Sequence, residues 1–215
     1  GQVTTTVYDD AGNVSETINA RSVRTTFAYD TLNRLVSTTE AVGASEQRTR
    51  STVYNEVGQV YQEVNWRGTI TEYEYDSLNR LTKITEAKGV SGVELSMTFA
   101  YDAAGNQTGS TDWRGFRTES TYDSLNRRTV LKEAVGTGLE RVTTFAYDAA
   151  GNVTSIVDGL ARTATFAYDG LNRQTAQTLA TGTGVAQTTK ALYDGNSNRI
   201  GSVDPSGQAW SSVPD

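Results

Sequence analysis

Aspartate is the residue type with the most chemical reach in this sequence. Asp9, Asp30, Asp76, Asp102, Asp123, Asp148, Asp169 and Asp194 each follow a tyrosine, and Asn55 takes that place after Tyr54. Carboxylates repeated at fixed spacing suggest a calcium array, in which several oxygens must converge on each ion. The spacing differs from the nonapeptide calcium repeat, and an Asp heading a tight turn has another use. Its carboxylate accepts backbone N–H groups two residues on. A turn role is therefore expected. Asp9 and Asp10 are adjacent, but neighbours in a strand or turn point different ways, so they do not make the paired acids of a glycosidase. Ser and Thr are abundant, yet there is no His and no Cys, which removes the usual general base and the commonest metal ligands. No Ser-x-x-Lys motif replaces them. No catalytic residue, metal or cofactor is expected, and the chain reads as a non-enzyme.

The elements that carry these aspartates repeat. Tyr8, Tyr29, Tyr54, Tyr75, Tyr101, Tyr122, Tyr147, Tyr168 and Tyr193 stand 21, 25, 21, 26, 21, 25, 21 and 25 residues apart, so short and long units alternate. Two flavours of motif alternate as well. Tyr-Asp-x-x-Gly-Asn runs over Tyr101–Asn106 and Tyr147–Asn152; Tyr-Asp-x-Leu-Asn-Arg runs over Tyr29–Arg34, Tyr75–Arg80, Tyr122–Arg127 and Tyr168–Arg173. Four residues after the tyrosine stands Gly12, Asn33, Gly58, Asn79, Gly105, Asn126, Gly151 or Asn172, the two types that best tolerate a left-handed backbone. That is the signature of a hairpin whose type I turn ends in a left-handed bulge residue. The ninth unit has Ser197 there, so its turn is expected to be rearranged or strained.

Aromatic pairs two apart, such as Phe27/Tyr29, Tyr73/Tyr75 and Phe145/Tyr147, fall on one face of a strand and predict an aromatic ladder on a buried side. Second turn signals follow at Asn19–Ser22, Asn65–Gly68, Asp112–Gly115 and Asp158–Ala161, and Asp204–Gly207 closes the ninth unit alike. The long units carry Gly-rich loops near Gly43, Gly89–Gly92, Gly136–Gly138 and Gly182–Gly184. Each unit is two strands and two turns, on the order of sixteen strands in all with no helix. Strand-like sequence already opens the chain at Gln2–Val7.

Composition agrees with an all-β array. Only 36% of the 215 residues are hydrophobic and mean hydropathy is −0.48, but 11 Tyr, 5 Phe and 3 Trp at fixed spacing oppose disorder. Net charge is −6 without a basic run, which argues against a nucleic-acid partner. No apolar stretch approaches a membrane span. Trp66-Arg67 and Trp113-Arg114 stand at short-hairpin tips. They are candidate contacts for a glycan or protein, or else they pack back on a neighbouring hairpin.

The two motifs, in nine units from about Tyr8 to Gly207, resemble the YD-repeat (Rhs repeat) family. That resemblance implies an array of antiparallel β-hairpins forming a curved, spiralling sheet, part of a hollow shell. The family includes polymorphic toxins, wall-associated proteins, toxin-complex components and teneurins, and in its toxins the shell encloses a C-terminal cargo. It implies a secreted or cell-surface structural segment whose partners are other parts of the shell or the cargo; the alternative is an adhesion or carbohydrate-binding module. Residues 1–215 read as a single array stopping mid-pattern at both ends, with self-association through open sheet edges expected. Val203-Asp204-Pro205 is similar to the Asp-Pro motif of the family's self-cleaving core, but its spacing suits a repeat turn.

Overall fold

A computed structural model of the chain describes residues 4–180 and 185–211. Gln2, Val3 and the loop at Gly182–Gly184 lie outside the described residues. The described residues contain nineteen β-strands and no helix. The count exceeds sixteen because all nine units supply both strands and a further short strand follows the last turn.

The chain divides into two compact units, Gly1–Phe99 and Ala100–Asp215. In the first are β1 (Thr5–Tyr8), β2 (Val14–Ile18), β3 (Arg24–Tyr29), β4 (Leu35–Glu40), β5 (Arg48–Tyr54), β6 (Val60–Val64), β7 (Ile70–Tyr75), β8 (Leu81–Glu86) and most of β9 (Leu95–Tyr101). In the second are β10 (Gln107–Thr111), β11 (Arg117–Tyr122), β12 (Arg128–Glu133), β13 (Arg141–Tyr147), β14 (Val153–Val157), β15 (Thr163–Tyr168), β16 (Gln174–Ala180), β17 (Ala186–Tyr193), β18 (Arg199–Val203) and β19 (Ala209–Ser211). Within each unit every strand pairs antiparallel with its chain neighbour, from β1·β2 through β8·β9 and from β10·β11 through β18·β19. Short connections permit nothing else: a turn of five to eight residues can only return the chain beside itself.

Each Tyr-Asp hairpin within a unit carries a register shift at its tyrosine, as between Ala28 and Tyr29 or Ala146 and Tyr147. This is the bulge expected of a turn whose last residue is left-handed. No hydrophobic side chain among the described residues is buried; Thr38 and Thr85 are the polar residues that are, each with an unpartnered hydroxyl. The expected buried aromatic side is thus corrected. Phe27, Tyr29, Tyr73, Tyr75, Phe145 and Tyr147 are half-buried, because they are covered only by their neighbours along the sheet and by no second layer.

Candidate functional site

Within each unit the residues singled out by spacing converge on one sheet edge, at the Tyr-Asp turns. In the Asp30 turn, Asn33 N–H donates to the Asp30 carbonyl at 3.0 Å, and Asp30 N–H donates to the Arg34 carbonyl at 3.0 Å. Asp30 Oδ1 then accepts from Leu32 N–H at 2.9 Å and from Arg34 N–H at 3.0 Å. The same arrangement holds at Asp76, Asp123 and Asp169. Asp9 and Asp194 repeat it, while Asp102 and Asp148 cap Asn106 and Asn152 N–H groups. Asn55 does the same work with its amide oxygen, toward Val57 and Gln59 N–H at 3.2 and 2.9 Å. The fourth residue after each tyrosine is left-handed throughout, from Gly12 at φ +86° to Asn172 at +61°. Ser197 adopts φ +70° within the same hydrogen-bond pattern. The ninth turn is therefore not rearranged; a β-carbon is forced into the left-handed region instead.

These hydrogen bonds set the charge state of the turns. Hydrogen bonds from the Arg34 backbone hold the Asp30 carboxyl below its ordinary value against some desolvation, and the Arg34 side chain adds to the effect. The Asp76 carboxyl is lowered first by the Arg80 side chain, the Asp102 and Asp148 carboxyls first by the amides of Asn106 and Asn152. No group of three or more potential metal-ligating residues occurs among the described residues.

Two features of this edge went unread in the sequence. The first is the tyrosine hydroxyl. The β2·β3 ladder ends at Glu16/Thr26, and the Val14 carbonyl beyond it accepts from the Tyr29 hydroxyl at 3.0 Å. Tyr54, Tyr75, Tyr122, Tyr147, Tyr168 and Tyr193 likewise donate to Leu35, Val60, Gln107, Arg128, Val153 and Gln174 carbonyls at 2.8–3.2 Å. Each acceptor is the first strand residue after the preceding Tyr-Asp turn. The signal was present: all nine positions are Tyr, whereas Phe is allowed two residues earlier.

The second is the residue after the left-handed one, which within each unit links a turn to the next. In the Gly-Asn flavour the Asn13, Asn106 and Asn152 amides donate both to their own Asp and to Asn33, Asn126 and Asn172 of the following turn, at 2.8–3.0 Å for the latter. Gln59 donates to the Asn79 carbonyl at 2.8 Å. In the Asn-Arg flavour the guanidinium pairs with its own Asp and lies over the next tyrosine. Arg34 is 4.3 Å from the Tyr54 ring centroid, Arg127 4.6 Å from Tyr147, and Arg173 4.7 Å from Tyr193. Arg127 and Arg173 also donate to the Asp148 and Asp194 carbonyls at 3.0 and 3.2 Å. Gly58 is left open for this contact, since a β-carbon there would stand 3.2 Å from Arg34 Nη1.

The opposite edge uses the same turn. Asn19, Asn65, Asp112, Asp158 and Asp204 accept from backbone N–H groups two and four residues on. Asp204–Gly207 is thus built as a repeat turn. Trp66 is half-buried, with the Arg48 and Arg50 guanidinium carbons 5.2 and 5.3 Å from its ring centroid; Arg67 beside it is exposed. Trp66, Arg50, Glu63 and Thr38 line an open groove of about 420 Å³. Trp113 is half-buried, and Arg114 is turned onto Asp112 at 2.8 Å and over Phe116. Glu63 accepts from the Tyr73 hydroxyl at 2.6 Å. Burial, then this bond, pushes the Tyr73 phenol up to about 12.

The RHS Repeat family profile matches residues 8–45, 54–91 and 147–183, together more than half of the chain. Among solved structures, TcdB2-TccC3 is similar over 94% of this chain and 12% of its own length, at 18% identity and a TM-score of 0.70. A form of TcdB2-TccC3 without a hypervariable C-terminal region matches over 94% and 11%, at 17% identity and a TM-score of 0.69. The Photorhabdus luminescens Tc holotoxin pore with a TccC3 mutation matches over 95% and 15%, at 16% identity and a TM-score of 0.59. The chain therefore spans about a tenth to a seventh of the solved chains it resembles. No curated protein matches it.

Proposed function

The chain belongs to the RHS Repeat family, and from that premise we propose that it is a stretch of protein wall whose work is steric: it separates what lies on one face of the hairpin array from what lies on the other. The observation that carries this reading is the lack of any buried hydrophobic side chain among the described residues, in strands that are nevertheless joined by ladders and by edge links. A binding or catalytic domain ordinarily needs a packed interior to hold its site. A wall needs lateral cohesion, and every feature of the Tyr-Asp edge supplies that. No catalytic step is assigned to it.

The finer reading rests on the resemblance to TcdB2-TccC3, one form of which lacks a hypervariable C-terminal region. On that analogy residues 1–215 are one continuous array of Tyr-Asp units in a secreted or surface-exposed protein, and the wall encloses a C-terminal cargo. The test is protease protection in the intact protein carrying a C-terminal epitope tag. The segment after the repeats should resist proteinase K at neutral pH and become sensitive once the wall is unfolded in denaturant. Digestion of that segment in the native protein as fast as in isolation would sink the proposal.

A further inference from the structure

The hairpins of this array are nearly interchangeable. Thr-Phe-Ala-Tyr-Asp occurs four times, at residues 26–30, 98–102, 144–148 and 165–169. No hydrophobic side chain among the described residues is buried to fix which hairpin lies beside which, and half-polar strands specify their register weakly. Turn type is what differs. At and after the left-handed position the first unit carries Gly12-Asn13, Asn33-Arg34, Gly58-Gln59 and Asn79-Arg80. The second carries Gly105-Asn106, Asn126-Arg127, Gly151-Asn152, Asn172-Arg173 and Ser197-Asn198. Within each unit a turn with Gly or Ser at that position always adjoins an Asn-Arg turn.

Each kind of turn holds what the other needs. Asn13, Asn106 and Asn152 donate to the side-chain oxygens of Asn33, Asn126 and Asn172. A glycine in that place offers no acceptor, and the amide loses its partner. Gln59, with a longer side chain, takes the Asn79 carbonyl instead. In the other direction the guanidinium needs room. Gly58 keeps open the space beside Arg34 Nη1, where a β-carbon would already stand at 3.2 Å. Arg173 meets Ser197, which is small enough to fit and accepts from it at 3.1 Å. An asparagine side chain at either place would intrude on the arginine.

We propose that the two residues at and after the left-handed position form a recognition code between hairpins. A Gly- or Ser-type turn accepts an Asn-Arg turn as its next neighbour and rejects its own kind, and an Asn-Arg turn does the reverse. The code keeps near-identical hairpins from docking out of order as the chain folds. It also makes a pair of units the smallest length by which the wall can grow or shrink. It concerns how the wall assembles and is independent of what the wall encloses.

Amide exchange on full-length variants tests it. A150L/G151N/N152R rewrites the Asp148 turn in the Asn-Arg form, so each turn is of a kind the array already uses but like stands beside like at both junctions. Exchange should quicken about tenfold at the Asp123, Asp148 and Asp169 turns, the loss expected for a link broken at each junction. Adding L171A/N172G/R173N and N196L/S197N/N198R flips the next two turns and restores alternation from the Asp148 turn onward. The junction between the Asp123 and Asp148 turns should then remain labile, while the Asp169 and Asp194 turns, although rewritten, regain the protection of the natural chain. Natural protection throughout the first variant would overturn the proposal, as would lability that follows the rewritten turns and not the mismatched junctions. If the first variant does not fold, recovery of the natural far-UV circular dichroism in the second supports the code, and failure of both refutes it.

Discussion

At the residue scale, the repeat tyrosine carries two separable loads: at Tyr54, Tyr147 and Tyr193 its ring is a platform for the arginine of the preceding turn, and its hydroxyl closes a carbonyl that the strand ladder leaves open. Tyr75 is the clean case, half-buried and bonded to the Val60 carbonyl at 2.8 Å. Tyr75→Phe keeps the ring and removes one hydrogen bond, so it should cost about 0.5–1.5 kcal/mol in urea unfolding. An unchanged midpoint would mean that water satisfies Val60 equally well. The left-handed alanines make the opposite case. Ala134 sits at φ +54°, and Ala41 and Ala87 match it at +53° and +52°. A left-handed conformation costs a non-glycine residue roughly 1–2 kcal/mol, part of which glycine gives back as unfolded-state entropy. Ala134→Gly should therefore raise the melting temperature, by the equivalent of a few tenths to about 1 kcal/mol. The tip turns announced themselves through Gly and Asn, but these alanines did not. Their conformation is dictated by loop closure, with Val135 N–H reaching the Arg117 carbonyl at 2.9 Å, and an alanine does not advertise such a constraint.

At the element scale, hairpins were legible because turn chemistry and strand alternation agree, and the bulge was implied by the left-handed position. What joins one hairpin to the next was not legible. Asn106 and Arg127 occupy equivalent positions and differ in type because the links they make differ: Asn106 meets the Asn126 side chain, while Arg127 spans to the Asp148 carbonyl and covers Tyr147. Residue type shows that a donor is present; only register shows which turn it reaches. Arg127→Ala should leave the Asp123 backbone turn intact, held as it is by Oδ1. It should speed amide exchange across the Asp148 turn by roughly tenfold, the loss of one charge-assisted bond; exchange confined to the Asp123 turn would contradict the link.

The turn aspartates also predict an acid limit. Asp9, Asp30, Asp76, Asp102, Asp123, Asp148 and Asp169 all have carboxyls lowered in the folded chain, chiefly by hydrogen bonds within the turn. A group whose value is depressed on folding binds protons more readily when unfolded. Its stabilising share is complete above the ordinary carboxylate value near 3.8 and is lost as pH falls below that toward the folded value. The melting temperature should be flat from neutrality to about pH 5 and then fall steadily with acid. Because these carboxyls lie on turns along the whole chain, exchange protection should drop at every Tyr-Asp turn together, whereas loss at one turn alone would point to a single dominant carboxylate.

At the scale of the whole molecule, the decisive fact is that cohesion passes only between neighbours. Among the described residues of each unit every strand contacts just the strands before and after it, the tyrosine hydroxyls reach the adjacent strand, and the turn links reach the adjacent turn. A domain with a packed interior couples distant elements through shared burial, and that coupling makes unfolding all-or-none. Here no buried hydrophobic side chain exists among the described residues to provide it. The low apolar fraction in the sequence already hinted at this, but composition alone does not distinguish a wet face from a small core. Stability should then be a sum of hairpin terms and nearest-neighbour terms, as in other repeat arrays. Unfolding should begin where a hairpin has one neighbour and proceed inward. Calorimetry should return a total enthalpy larger than the van't Hoff enthalpy of the same transition, and amide protection should be graded along each unit. Equal enthalpies with uniform protection would require a long-range contact that hydrogen-bonded neighbours do not supply, and the wall would then be a cooperative body rather than a zipper of hairpins.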